Sequence, residues 1–578
     1  MSLPTIASLG GFYAAGGSPV EVAEATLARI DAVADPALFI TRVPPEDVRA
    51  RAAQLAAEGP QGRALFGIPF VVKDNIAVAG IAMTAACPDF SHIPEDDAPA
   101  VARLLEAGAI LLGKVNLDQF ATGLNGSRSP YGTPRNAVVP THVPGGSSSG
   151  SASAVAAGIA AFSLGTDTAG SGRVPAAAQE LVGLKPSLGL IPTRGVVPAC
   201  RSLDCVSVFA HTIADAAEVL RVAAGPDAQD PYSRTAPPGW QPVSAPQPAW
   251  RLAVPHQKEL VFETPEDERR FDAALARAEA IGATITRVTI KPLLAVARRL
   301  YDGAWVAERT SALKDRVEEN PGSLHPVTRA ILEDGLERRT VDAFADFHAV
   351  AEARLVSRAI FAAADALLLP THPGLPSLEE MAAHPIAANS RLGTYTNFVN
   401  LCDLAGIAVP NGRREDGIPC GVTFLAPAFT EGRISALAAA FTGEALQAPA
   451  VAADEVELFC IGAHMAGLPL NPQVLGHGGR FLRTATTAPL YRLYAMGHRP
   501  GMVRVSEGGG SVAGEVWALP AASLGPFLAE IPPPLGFGRV TLSDGGNPLG
   551  FLCEAAGAEG QPEITALGGW RAYLATKG

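Results

Sequence analysis

Residues 144–178 read PGGSSSGSASAVAAGIAAFSLGTDTAGSGRVPAAA, and this stretch decides the fold. Its polar groups fall in two clusters, Gly145 to Ser151 and Gly165 to Arg173. The segment between them, Ala152 to Leu164, is apolar enough for a buried helix, or for a helix followed by a strand. Two Gly/Ser loops are therefore held at the ends of a rigid core element. Glycine lets main-chain N–H groups approach a ligand closely, and serine offers a small nucleophile or a proton relay. Flexible linkers would not be separated by core sequence or flanked by Asp167, Arg173 and Pro175. A phosphate cradle would need a Walker-type lysine, and neither cluster has one. The pattern favours acyl transfer by a serine beneath a main-chain oxyanion hole.

The two clusters resemble the motifs of the amidase signature family, GGSSGGS followed by GTDTGGSxRxPA. That resemblance implies a Ser–cis-Ser–Lys set. Ser171 is then the nucleophile, Ser147 the bridging serine and Lys73, at the end of the apolar run in GIPFVVKDN, the base. A lysine serves as a base only when neutral, so burial must lower its pKa. The N–H groups of Thr168, Ala169, Gly170 and Ser171 are expected to form the oxyanion hole, each donor worth about 100–1000-fold in rate. Asp167 and Arg173 are expected to brace the loop.

Composition sets the bounds. The chain has 578 residues, 48% of them apolar and 18% charged, as a globular protein with a large core requires. A net charge of −12 argues against nucleic acid as a partner. Seven cysteines without a CxxC pair suit reduced thiols in a cytoplasm. No basic leader and no long apolar run is evident, so no signal peptide or membrane span is expected.

Along the chain, Ser18-Pro19-Val20-Glu21 starts a helix with cap, proline and glutamate in place. A second helix over 44–57, a strand over 64–72 and alternating elements through 101–115 predict a mixed α/β sheet. Gly108 to Lys114 imitates a P-loop. However, Val115 follows the lysine, and the apolar AILL sits where an exposed loop should be. The loop-rich stretch 120–136 is expected to wall the pocket, with Gly123 and Leu124 touching substrate. The Pro- and Ser-rich 225–248 reads as a surface excursion.

In YDGAWVAER, Tyr301 and Arg309 stand eight residues apart, roughly one side of a helix after two turns. On spacing alone a core tyrosine and a surface arginine fit as well. The pair resembles the carboxylate clamp of the allophanate hydrolase branch of the family, and GTDTAGSGRVPA resembles that branch too. His372, in PTHPGLP, reads as structural. A linker is expected at 447–454, after an amidase signature domain of 1–446, a mixed sheet covered by helices. The tail 455–578 reads as a smaller β-rich domain. It resembles the γ-glutamyl-cyclotransferase-like C-terminal domain of allophanate hydrolases, on its GAH and GEVWALP segments. His464 is its candidate catalytic residue; His498 and Glu515 are weaker ones, and His477 has no metal-ligand spacing.

The resemblance implies hydrolysis of allophanate to ammonia and carbon dioxide, without cofactor or metal. It also implies a cytoplasmic homodimer associated with a urea carboxylase. No AMKM-type biotin motif occurs, so that carboxylase is expected on a separate chain. Three rivals remain at this stage. They are an amidase for another small amide, a C-terminal domain serving only assembly or docking, and one component of a transfer-RNA-dependent amidotransferase.

Overall fold

The structure, a computed structural model, describes residues 4–446 and 449–577. Eleven strands form one sheet. In chain order they are β1 (Phe39–Arg42), β2 (Pro69–Lys73), β3 (Ile110–Val115), β4 (Phe162–Asp167), β5 (Val182–Lys185), β6 (Cys205–Ala210), β7 (Trp250–Pro255), β8 (Ala283–Val288), β9 (Ala366–Pro370), β10 (Leu404–Arg413) and β11 (Pro419–Pro427). Their spatial order is β1-β3-β2-β4-β6-β5-β10-β11-β9-β7-β8. β2 runs parallel to both β3 and β4, whereas β6, β5, β10 and β11 pair antiparallel in succession. The sheet is thus mixed, as the sequence predicts.

The central strands β2, β3, β4 and β6 are buried at every position, so they are covered on both faces. Continuous apolar runs, rather than alternation, are the matching sequence pattern. The helix Pro19–Val33 begins with the Ser18–Glu21 capping box, and the helix Pro45–Glu58 follows where a second one is expected. The P-loop imitation lies largely in β3, and Lys114 is buried 3.2 Å from the Asp74 carboxylate.

The deciding stretch folds as a helix over Ser149–Ala156, then β4, then a short helix over Val174–Ala178. The loops at the two ends of this block are fixed by close packing. At Gly170 (φ +125°) a β-carbon would lie 2.3 Å from Thr396 Oγ1, and at Gly146 one would lie 2.2 Å from Asp118 Oδ2. Neither position admits a side chain.

The chain divides into two compact units. The first holds residues 1–236, 252–280 and 285–434; the second holds 237–251, 281–284 and 435–578. The division falls earlier than the expected linker, and Gln447 and Ala448 of that linker lie outside the described residues. The Pro-rich 237–251 also belongs to the second unit, and Ser244 and Gln247 in it are buried. It is therefore not a surface excursion throughout: proline and serine pack there without regular structure.

The second unit contains seven strands: β12 (Glu455–Cys460), β13 (Arg480–Thr486), β14 (Tyr491–Met496), β15 (Arg499–Arg504), β16 (Ala513–Pro520), β17 (Leu535–Arg539) and β18 (Leu549–Cys553). Five form a sheet in the order β13-β16-β12-β18-β17, and β14 and β15 make a hairpin. A helix over Ala521–Ala529 completes the β-rich domain.

Candidate active site

Three loops and one strand end meet in the first unit. Lys73 closes β2, with its side chain fully buried. Its Nζ lies 2.7 Å from Ser147 Oγ, 3.0 Å from Ser148 Oγ and 2.7 Å from Thr166 Oγ1. Ser147 Oγ is 2.9 Å from Ser171 Oγ, and the Gly146–Ser147 peptide is cis. The three residues singled out from sequence therefore form one chain of hydroxyls and amine. Burial lowers the Lys73 ammonium to about 7, against the opposing pull of Asp118, Asp204 and Asp167. Three hydroxyl neighbours suit either protonation state. An ammonium donates to all three, while a neutral amine donates to two and accepts from the third.

The loop after β4 is held by Asp167. Arg173 donates to both its oxygens, Nε to Oδ2 and Nη2 to Oδ1, each at 2.9 Å. The N–H groups of Gly170 and Gly172 donate to the same carboxylate at 2.9 and 3.0 Å. Burial pushes the Asp167 carboxyl up, but Arg173 and the Gly172 N–H outweigh it and hold the group below its ordinary value. The brace expected of Asp167 and Arg173 is thus a buried ion pair with four donors on one carboxylate. It also corrects the expected oxyanion set. The Gly170 N–H is spent on Asp167, which leaves Thr168, Ala169 and Ser171 as candidate donors.

Arg309 is 1% exposed. Its Nη1 donates to Thr122 Oγ1 at 3.0 Å, and its guanidinium carbon lies 5.2 Å from the centre of the Tyr301 ring. Its Nε and Nη2 have no hydrogen-bond partner among the described residues. A buried guanidinium with two idle donors is costly unless an anion completes it. The pair does not share one helix, as spacing implied. Tyr301 ends the helix Lys291–Asp302 and Arg309 lies in the helix Trp305–Ser311. Gly303 breaks the run in extended geometry (φ −106°, ψ −167°), and the two helices still bring ring and guanidinium together.

Gly123 and Leu124 are placed differently from expectation. The Leu124 N–H donates to Asn389 Oδ1 at 2.8 Å, so it is not free for a ligand. Gly123 backs onto Asp118, where a β-carbon would sit 2.5 Å from Oδ2. Asp118 accepts from the N–H groups of Asn125, Gly126 and Arg128, and so shapes this wall. Several site neighbours escape a sequence reading: Asp118, Ser148, Thr166, Asp204 and Asn400. Each is a lone polar residue in an apolar or Gly-rich run; a buried polar side chain that needs a partner is the signal they carry. His372 is buried and its pKa is pushed down to about 4 by that burial, which keeps it neutral.

In the second unit, His464 follows β12 and is 6% exposed. Its ring stacks on Phe551 with centres 4.7 Å apart and meets Phe527 edge-on, while Nε2 is 2.9 Å from Gln473 Oε1. Burial lowers its pKa. Glu515 accepts from the Ala466 N–H, Trp517 Nε1 and Arg571, so it braces the turn after His464. His498 is exposed at the hairpin turn, and His477 pairs with Glu530. Among the described residues, no three of His, Cys, Asp or Glu gather as a metal site would require, and no helix is long and apolar enough to cross a membrane.

With this geometry established, the class follows: residues 21–434 match the amidase family model, and the chain belongs to that family. Residues 456–575 match the model described as allophanate hydrolase C-terminal domain. Urea amidolyase of Saccharomyces cerevisiae is 41% identical over 545 residues, covering 88% of this chain but 30% of its own. The chain thus spans about a third of the length of the urea amidolyases it matches. Allophanate hydrolase of Kluyveromyces lactis superposes with a TM-score of 0.80 at 38% identity, covering 100% of this chain and 99% of that one. A component of the glutamyl-tRNA(Gln) amidotransferase of Symbiobacterium thermophilum is 36% identical over 472 residues, covering 74% of this chain and 94% of its own.

Proposed function

We propose that the chain hydrolyses allophanate, with Lys73, Ser147 and Ser171 as its catalytic set. The observation that carries the reading is the buried Arg309 with two idle donors beside Tyr301. A substrate carboxylate completes that guanidinium bidentately. Its amide carbonyl then lies toward Ser171. The Ser171 hydroxyl proton passes through Ser147 to neutral Lys73 as Oγ bonds to the carbonyl carbon. Main-chain donors from Thr168, Ala169 and Ser171 hold the oxyanion. The relay returns the proton to the leaving nitrogen, ammonia departs, and an acyl-enzyme remains. Water then adds through the same relay and releases N-carboxycarbamate. That product loses carbon dioxide, a step we assign to the C-terminal domain with His464 as its candidate residue, and the carbamate breaks down to ammonia and carbon dioxide.

The names and shared tail of the relatives support this substrate over a transfer-RNA-bound one. A homodimer in the cytoplasm, working with a urea carboxylase, completes the reading. The test is ammonia release from allophanate, malonamate, biuret and a neutral amide, by wild type and Arg309→Ala. Loss of about 100-fold or more in kcat/KM for the two carboxylated substrates alone is expected, as for a buried charge pair that loses a partner. Equal losses on all four would reject the clamp.

A further inference from the structure

Between the clamp and the nucleophile loop runs the segment Ala199-Cys200-Arg201-Ser202-Leu203-Asp204. It is tied at both ends. At one end, Ser202 donates its N–H to Glu308 Oε1 at 2.7 Å and its hydroxyl to Glu308 Oε2 at 2.8 Å. Glu308 directly precedes Arg309 on the same helix. At the other end, Asp204 Oδ1 accepts the hydroxyl of Thr168, in the loop that carries Ser171. A further tie runs through Asn400, whose Nδ2 donates to Leu203 O and to Asp167 O, each at 2.8 Å. The segment is also stiff within itself. Asp204 accepts the N–H groups of Ala199 at 2.8 Å and Cys200 at 3.1 Å, and Leu203 and Asp204 both donate to Cys200 O at 2.9 Å. Burial pushes the Asp204 carboxyl up to about 6, so near neutral pH it stays ionised and accepts from all three donors.

We propose that this segment is a spacer that sets the distance from the Arg309 guanidinium to the Ser171 hydroxyl. Glu308, Ser202 and Asp204 are then positioning residues that fix the length of acid amide the site turns over. The proposal rests on Arg309 holding the substrate carboxylate. Rigid spacing matters because misplacing a reacting atom by about 1 Å costs on the order of 100-fold in rate. Allophanate and malonamate have one atom between carboxylate and amide carbons; succinamate has two. A stiff spacer rejects the longer acid, and a slack one tolerates it.

The experiment measures kcat/KM for malonamate and succinamate in wild type, Glu308→Ala and Glu308→Gln. Acylation by p-nitrophenyl acetate, which has no carboxylate, is the control. In Glu308→Ala the malonamate-to-succinamate ratio should fall about 10-fold or more, while acylation by the ester stays within about twofold of wild type. Glu308→Gln, which keeps an acceptor for Ser202, should recover most of the ratio. An unchanged ratio in Glu308→Ala, or losses shared equally by the ester, would overturn the spacer. Arg309→Ala separates the two failures. If it affects the ester as much as malonamate, the clamp itself is wrong; if it spares the ester while Glu308→Ala leaves the ratio alone, only the spacer is.

Discussion

Burial acts on a titratable nitrogen in both units, with opposite chemical results. Lys73 lies among hydroxyls, and the loss of solvent brings its pKa down to about 7. A group that is an inert cation in water becomes a base near neutral pH. His464 lies between Phe551 and Phe527, and the same loss of solvent lowers a pKa that already sat near neutrality. It is left neutral, with Gln473 as its polar contact. Desolvation creates a base in the first unit. In the second it removes a cation and leaves a ring that orients and stacks.

The largest test of this contrast removes the relay. Ser171→Ala and Lys73→Ala should each lower ammonia release from allophanate by about four decades or more, as in other serine hydrolases whose nucleophile and base act as a unit. Their effects should not add, because Ser147 reaches Lys73 and Ser171 at once. Near-normal turnover in either variant would leave the relay without a role.

The relay was legible in sequence because its residues belong to two local runs of unusual composition. Gly, Ser and Thr cluster there because loops close to a reacting centre must be narrow and polar. The clamp was only half legible. Eight residues of spacing put Tyr301 and Arg309 near each other, but the break at Gly303 is set by tertiary packing, which a lone glycine between helical runs does not announce. Asp204 and Asn400 were not legible at all. Their meaning lies in partners distant along the chain: Asp204 meets Thr168, and Asn400 meets Asp167 and Leu203. The unit boundary was misplaced for a related reason. Residues 237–251 look like surface loop by composition, and only their burial assigns them to the second unit.

A smaller effect sharpens the Lys73 half of the comparison. Since only the neutral amine takes a proton, kcat/KM should fall as pH drops through about 7. The same shift has a stability consequence of fixed sign. Its folded pKa lies below the unfolded value of 10.5, so between about pH 7 and 10.5 the unfolded chain binds a proton that the folded chain does not. Folding stability from this group therefore rises with pH across that window, by up to about 1.4 kcal/mol per pH unit. Denaturant melts of wild type and Lys73→Met at pH 7.5, 8.5 and 9.5 measure it. The difference should move in favour of wild type at each step, and a flat difference would mean that Lys73 is charged in the folded protein.

The smallest effect on the first reaction belongs to His464. Its contacts are all within the second unit: Gln473, Phe527, Phe551 and the Asn471 side chain that donates to its carbonyl. Ser171 acylation needs none of them, so His464→Ala should release the first ammonia within about twofold of wild type. What should change is the fate of the product. A neutral ring in an apolar, aromatic setting favours loss of carbon dioxide from a dianion by withholding solvent and counter-charge, since the departing molecule is uncharged. Carbon-13 NMR on labelled allophanate should then show N-carboxycarbamate persisting longer with His464→Ala, and His464→Phe should restore part of the wild-type rate if apolar surroundings are what count. Restoration only by His464→Gln would shift the role to the hydrogen bond with Gln473. Unaltered product kinetics in all three variants would remove His464 from the chemistry, leaving the C-terminal domain to assembly.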